Sequence, residues 1–383
     1  MKIFDDVHRS DFAYKHERET HFDFLNRCAR PEFGPVREFL EQEVLAFPVE
    51  GRDDLIHRIR CGSEVDYSAA IFELLLHGGL SRRGYVLQPH PTLLSGRQPD
   101  FLVTAPDGNE FYLEATQATE MFDGRDDSAE KRKNTALDDL NRDVHPDFWL
   151  MTSSTGHPTT QPPSKKLRHE VQMWLASLNY DHITASVAAG GHDAYPTRTW
   201  RHEAWTLTMR AVPISHAKRG TSEGLVASRS GGSGWVDRTG PLRNALKKKS
   251  GHYGELDLPL IVAVNVTSGF LSRMDEVHAL YGDHVRLAGH AATTATVSGP
   301  LGGFWYEGGR PRRKQLSGAW VFQGLNVYNR HAAKDTLYVH PWGERPMPAS
   351  LMELTTANLA GNTIRWTEAR RLGSVFSPGP IDL

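Results

Sequence analysis

The chain has 383 residues, 39% hydrophobic and 23% charged, a balance that suits a globular protein with one large domain or two smaller ones. Its two cysteines, Cys28 and Cys61, are too few for a disulfide framework and lack metal-ligand spacing, which fits a reducing cytoplasm. With no signal-peptide pattern, no apolar window approaching about eighteen residues and a net charge of −2, a cytoplasmic protein with no membrane partner is expected, and contact with phosphate is left to local basic patches.

Residues 1 to 62 read as a helical extension, because Phe22, Leu25 and Cys28, then Val36, Phe39, Leu40 and Val44, recur three or four apart. Ser63 can cap a helix running to about Leu80. That helix carries Glu73 between Ile71, Phe72 and Leu74, Leu75, Leu76, a setting in which a carboxylate is costly unless a metal or hydrogen bonds compensate it. This favours Glu73 over Glu64 as an inward acid; the plainer reading is the polar stripe of an amphipathic helix. After a strand at Tyr85 to Gln88 comes Pro99-Asp100-Phe101-Leu102-Val103, a Pro106-Asp107-Gly108-Asn109 turn, then Phe111 to Thr116. These form a β-hairpin. Asp100 at the entry of one strand and Glu114 late in the other fall near the same end, with Glu114 and Thr116 projecting together. Two carboxylates without nearby lysine partners suit a hard divalent ion. His90 lies close in sequence and is a candidate to orient water or contact phosphate, against its commoner role as a packing or solvent-facing ring.

A helix is expected near Asp127 to Asp143 and a strand near Phe148 to Thr152, followed by a turn-rich connection and a helix that Ser164 could cap. Ala204 to Ile214 is strand-like, and Ser228 to Gly234 reads as a flexible loop because it lacks any phosphate-loop pattern. The lysine-rich stretch Leu242 to Gly251 precedes Leu258 to Val266, an apolar run suited to a strand buried on both faces. A helix at Leu271 to Tyr281 and strands near Ala319 to Gly324 and Thr336 to His340 complete the chain. Basic residues gather at Lys131-Arg132-Lys133, Lys165-Lys166-Leu167-Arg168, Arg243 with Lys247-Lys248-Lys249, and Arg310 with Arg312-Arg313-Lys314, each readable as a solvated face. Neither a zinc motif nor a nucleophile elbow accompanies them.

Asp100 after Pro99, the hairpin, Glu114-Ala115-Thr116 and the preceding helix with Glu73 resemble the PD-(D/E)XK nuclease superfamily over residues 63 to 150. The resemblance implies an α/β, restriction-endonuclease-like mixed central sheet flanked by helices. Residues 63–270 would be that core, between the helical extension 1–62 and an α/β C-terminal extension, 271–383, packed on it. It further implies metal-dependent hydrolysis of phosphodiester bonds. Asp100, Glu114 and the main-chain carbonyl of Ala115 would hold Mg2+ or Mn2+, and Glu73 would orient a hydrated metal or the attacking water. Thr116 stands where the family has its lysine, so the missing charge would come from Lys133 or from Lys247, Lys248 or Lys249. Since the superfamily acts mostly on DNA, the implied partner is DNA rather than RNA, with bacterial restriction or anti-phage defence as setting and a homodimer or partner protein as assembly. The absent lysine also suits a catalytically inactive nuclease-fold module that binds nucleic acid or a partner protein. Acids that proved far apart would instead suit a structural or regulatory subunit.

Overall fold

A computed structural model describes residues 2–16, 19–93, 95–118, 127–190, 194–216, 219–220, 225–231, 239–251, 253, 256–267, 272–287 and 293–377. Helices α1 (His21–Arg27), α2 (Gly34–Ala46), α3 (Val49–Arg60) and α4 (Glu64–Ser81) precede strands β1 (Val86–Pro89), β2 (Phe101–Thr104) and β3 (Glu110–Ala118). Then come α5 (Asp127–Asn141), β4 (Phe148–Thr155), α6 (Ser164–Ala176), α7 (Tyr180–Gly190), β5 (Thr197–His202), β6 (Trp205–Pro213) and β7 (Val226–Gly231). The chain continues through α8 (Gly240–Ser250), β8 (Leu260–Val266), α9 (Arg273–Tyr281), β9 (Val285–Leu287), β10 (Thr294–Val297), β11 (Tyr306–Glu307) and β12 (Arg310–Pro311). Strands β13 (Leu316–Gln323), β14 (Asp335–Val339), β15 (Thr356–Ala360) and β16 (Thr363–Thr367) follow. No helix of the described residues is long and apolar enough to cross a membrane.

Two compact units result, one from residues 1–120 with 237–383 and the other from 121–236. These bounds do not coincide with the expected ones at 62 and 270, for a reason visible in the packing. Leu25, Val36 and Leu55 of the N-terminal helices share one apolar cluster with Leu74 of α4, Val103 of β2 and Leu113 of β3. Six of the strands after residue 270 join the same sheet as β1 to β3, in the order β1-β2-β3-β8-β13-β14-β15-β16-β10-β9. The larger unit is thus a mixed α/β assembly on one ten-stranded sheet: β1, β2 and β3 are antiparallel neighbours, while β3–β8 and β8–β13 pair in parallel.

Local sequence explains the elements nearest the carboxylates. The Ser63 hydroxyl caps α4 by accepting from the Asp66 N–H at 3.3 Å, satisfying one of the helix's orphan donors. At the tip of the hairpin Gly108 takes φ +82°, a conformation open to glycine, and Asp107 accepts from the Asn109 N–H at 3.1 Å. Every residue of β8 is buried, as its unbroken apolar run requires: Ile261 and Ala263 face the cluster containing α4, and Leu260, Val262 and Val264 face the one containing Leu242 and Leu246 of α8. The sheet's two faces therefore carry different helices.

In the smaller unit the sheet order is β5-β6-β4-β7, and Phe148, Leu150, Leu207 and Met209 pack against Leu140, Leu167, Trp174 and Ile183 of the helices. Ser228 to Gly231 belong to β7, paired in parallel with β4, and not to a loop. Their Ser- and Gly-rich composition obscured the strand, whereas Gly232 to Gly234 lie outside the described residues. Helix α6 begins after Pro163 without a side-chain cap. Because Leu246 is fully buried between α8 and the sheet, Leu246→Ala should cost about 3 kcal/mol, measured as a lowered urea midpoint with unchanged slope.

Candidate functional site

The β2–β3 ladder ends at the Phe101–Leu113 pair, so Ala115 lies beyond any β2 partner. The Asp100 side chain fills that place: its Oδ2 accepts from the Ala115 N–H at 2.7 Å. Because the N–H and C=O of one strand residue leave on the same side, the Ala115 carbonyl also faces Asp100, outside the ladder.

Glu114 projects from the other side of the backbone alternation, with Tyr112, toward α8. It is 0% exposed. Its Oε2 accepts from Lys249 Nζ at 2.5 Å, and its Oε1 has no hydrogen-bond partner among the described residues. The same Nζ is 3.5 Å from Asp100 Oδ2. Asp100 and Lys249 retain 15% and 27% of their side-chain surface, so the group is reachable from solvent at one end. Burial, followed by the adjacent Asp100 charge, pushes the Glu114 carboxyl up to about 8 against the pull of Lys249. Burial works to lower the Lys249 ammonium, but Asp100 and Glu114 together outweigh it and hold its pKa above the ordinary value.

Glu73 is buried in α4, and its partner is a cation of the protein: Arg58 of α3 donates to both carboxylate oxygens, at 2.7 and 2.5 Å, and to Asp54 at 2.9 Å. Burial nonetheless raises the Glu73 pKa, with the Arg58 bonds opposing and the Asp100 charge adding to the rise. Arg58 escaped the sequence reading. The signal was the buried acid itself, whose compensation had to come from a neighbouring element.

The remaining candidates are dispersed in role. Thr116 shares the Glu114 face by alternation and is half-buried. Lys247 and Lys248 are exposed on α8 and form no ion pair among the described residues, so Lys249 is the member of that run that meets the acids. Lys133 lies in the smaller unit and donates to the Gly156 carbonyl at 3.4 Å. His90 adopts φ +49° and donates its backbone N–H to the Asp100 carbonyl at 3.0 Å, and its charge bears on Glu73. No family model matches the chain, and neither does any curated protein or solved structure.

The donor set fits a hard divalent ion in its chemistry. The Asp100 carboxylate, the Glu114 Oε1 and the outward Ala115 carbonyl are all oxygen donors of the kind such an ion takes, though no cluster of three or more acidic, histidine or cysteine side chains able to hold a metal occurs among the described residues. Contrary to what the hairpin's own sequence suggested, the acids are not without a lysine partner: Lys249, far along the chain, supplies the balancing positive charge. Glu73 stays engaged by Arg58.

Removing the guanidinium tests that division of labour. Arg58→Ala leaves Glu73 buried and uncompensated, and should destabilise the protein by about 3 kcal/mol. The double variant Arg58→Ala/Glu73→Leu should recover most of that loss in urea unfolding, and equal destabilisation of both variants would show that packing, not charge, is at stake.

Proposed function

We propose that the chain is a metal-dependent nuclease with a restriction-endonuclease-like core, a PD-(D/E)XK variant in which Lys249, delivered by a helix, takes the role of the lysine that Thr116 replaces. The observation that carries this reading is the meeting of Asp100, Glu114 and the Lys249 ammonium within hydrogen-bonding reach. In this reading Asp100, Glu114 and the Ala115 carbonyl hold Mg2+ or Mn2+. When bound, the ion polarises the phosphate and lowers the pKa of a coordinated water. Lys249 offers a compact cation to the negative charge that develops on the phosphate oxygens. Asp100, by holding the Ala115 amide, fixes the carbonyl beside it. Glu73 reaches the reacting centre only through its field on Asp100, because its own oxygens are taken by Arg58. DNA as substrate, and restriction or anti-phage defence as setting, follow from the resemblance. The second reading, a nuclease-fold module that binds without cutting, draws on the direct contact between Lys249 and Glu114, which closes the acid pair with a residue of the chain itself.

Lys249→Ala should lower turnover at saturating DNA about 100-fold, whereas Lys247→Ala and Lys248→Ala should chiefly weaken binding and flatten its salt dependence. Three variants with equal turnover would remove Lys249 from the chemistry. Asp100→Ala should abolish cleavage in a folded protein, and Thr116→Lys should restore part of the activity lost in Lys249→Ala. A wild-type chain that binds DNA tightly yet cuts no form of it with Mg2+ or Mn2+ is the binding module.

The raised Glu114 pKa also gives a sign to metal binding. Below about 8 the carboxyl holds a proton that the ion must displace, so Mn2+ affinity should climb as pH rises from 6 toward 8 and level off beyond. Calorimetry in buffers of different ionisation enthalpy should register the released proton, and an affinity flat across that range would contradict the shared-ion model.

A further inference from the structure

The four-stranded sheet of the smaller unit has its helices on one face only: Phe148, Leu150, Trp200, Leu207, Met209 and Ala211 all point into the cluster that contains α5, α6 and α7 residues. The alternate residues point away from it, and no described helix of this unit packs on them. Their chemistry is one-sided. Register aligns Arg210 with Met151 and Thr197 in one row, Thr208 with Ser153 and Thr199 in the next, and Thr206 with Arg201 in a third. Arg201, Arg210, Thr199 and Met151 are exposed, and Thr208 and Ser153 are half-buried. None of the four strands contains an aspartate or glutamate.

Neither arginine forms an ion pair or hydrogen bond among the described residues, whereas the neighbouring Glu203 at the β5–β6 turn is held by Thr159 and Thr160 and by their backbone amides. Two cations therefore stand roughly 14 Å apart along the strand direction, with a row of hydroxyls between them. Hydroxyl and guanidinium groups are both donors to phosphate oxygens. A sheet face that carries donors, an exposed thioether and no acid suits an extended chain of phosphates, and a four-stranded sheet offers a flat surface on which a single strand can lie with its bases unstacked.

We propose that this open face is a binding platform for single-stranded DNA, engaging the phosphate backbone through Arg201 and Arg210. The proposal deepens the nuclease reading, on which it rests for the identity of its ligand. It requires only that the charges on the face meet phosphate, so it is separable from cleavage.

Binding of a fluorescein-labelled oligothymidylate to the full chain in EDTA, followed by anisotropy across a salt series, tests it. The double variant Arg201→Gln/Arg210→Gln should bind more weakly, with a log–log salt slope shallower by about 1.4, the counterion release of two single-strand phosphate contacts. Arg201→Lys/Arg210→Lys should retain most of the affinity. Circular dichroism controls for folding, which these exposed positions should leave unchanged. An unchanged slope in the glutamine variant, no binding by the wild type, or tighter binding of the matching duplex than of the single strand would each overturn the platform. Cleavage of the same oligonucleotide with Mn2+ is scored separately. Arginine-dependent binding without cleavage sinks the nuclease reading alone, and cleavage with arginine-independent binding sinks the platform alone.

Discussion

A fully buried carboxylate in the interior of a sheet costs several kcal/mol unless charge and hydrogen bonds around it compensate, and Glu114 imposes that constraint on the larger unit. The cation that meets it, Lys249, rides on α8, and α8 can reach only because Leu242, Ala245 and Leu246 seat it on the Tyr112, Leu260 and Val262 face of the sheet. That face exists because β8 is apolar on both sides and can pair in parallel with β3 and β13 at once. Asp100 adds a second negative charge at the same place, which raises the demand on the lysine, and one Glu114 oxygen has no partner among the described residues.

The two buried acids of this region are balanced in physically different ways. Arg58 grips Glu73 with two parallel bonds from a planar group that stays charged at any accessible pH, so this pair behaves as a fixed strut between α3 and α4. Lys249 touches Glu114 through one point at the end of a flexible stem. The same ammonium lies 3.5 Å from Asp100 Oδ2, so one point charge serves both acids. The two differently balanced acids thus belong to opposite faces of the sheet.

Much of this was legible where the sequence carried strong local signals. The Ser63 cap, the Pro106 to Asn109 turn with its glycine, the period-two strands around it and the doubly apolar β8 run all produced the expected elements, and the convergence of Asp100 and Glu114 follows from hairpin geometry alone. Arg58 and the choice of Lys249 within a three-lysine run were not legible, because they depend on how helices distant in sequence are rotated against the sheet. The strands β5, β7, β9, β10, β15 and β16 were missed for a related reason: they are short or rich in Ser, Thr and Arg, so that even the alternation in Thr363-Ile364-Arg365-Trp366-Thr367 spans only five residues, and their pairing is decided by neighbours far along the chain. The same weakness led to a boundary at residue 270, although the strands beyond it complete the sheet.

The smaller unit is inserted between β3 and α8, so Lys249 lies 135 residues beyond Glu114 and 149 beyond Asp100 in the chain. During synthesis, at about 5 to 20 residues per second, the hairpin with its two carboxylates leaves the ribosome several seconds before α8 exists. Throughout that interval Glu114 has neither β8 beside it nor a cation near it, and must remain hydrated or protonated. Assembly of this cluster is therefore a late event that waits on a long-range closure, and a nascent chain carries the acids without the cation that balances them.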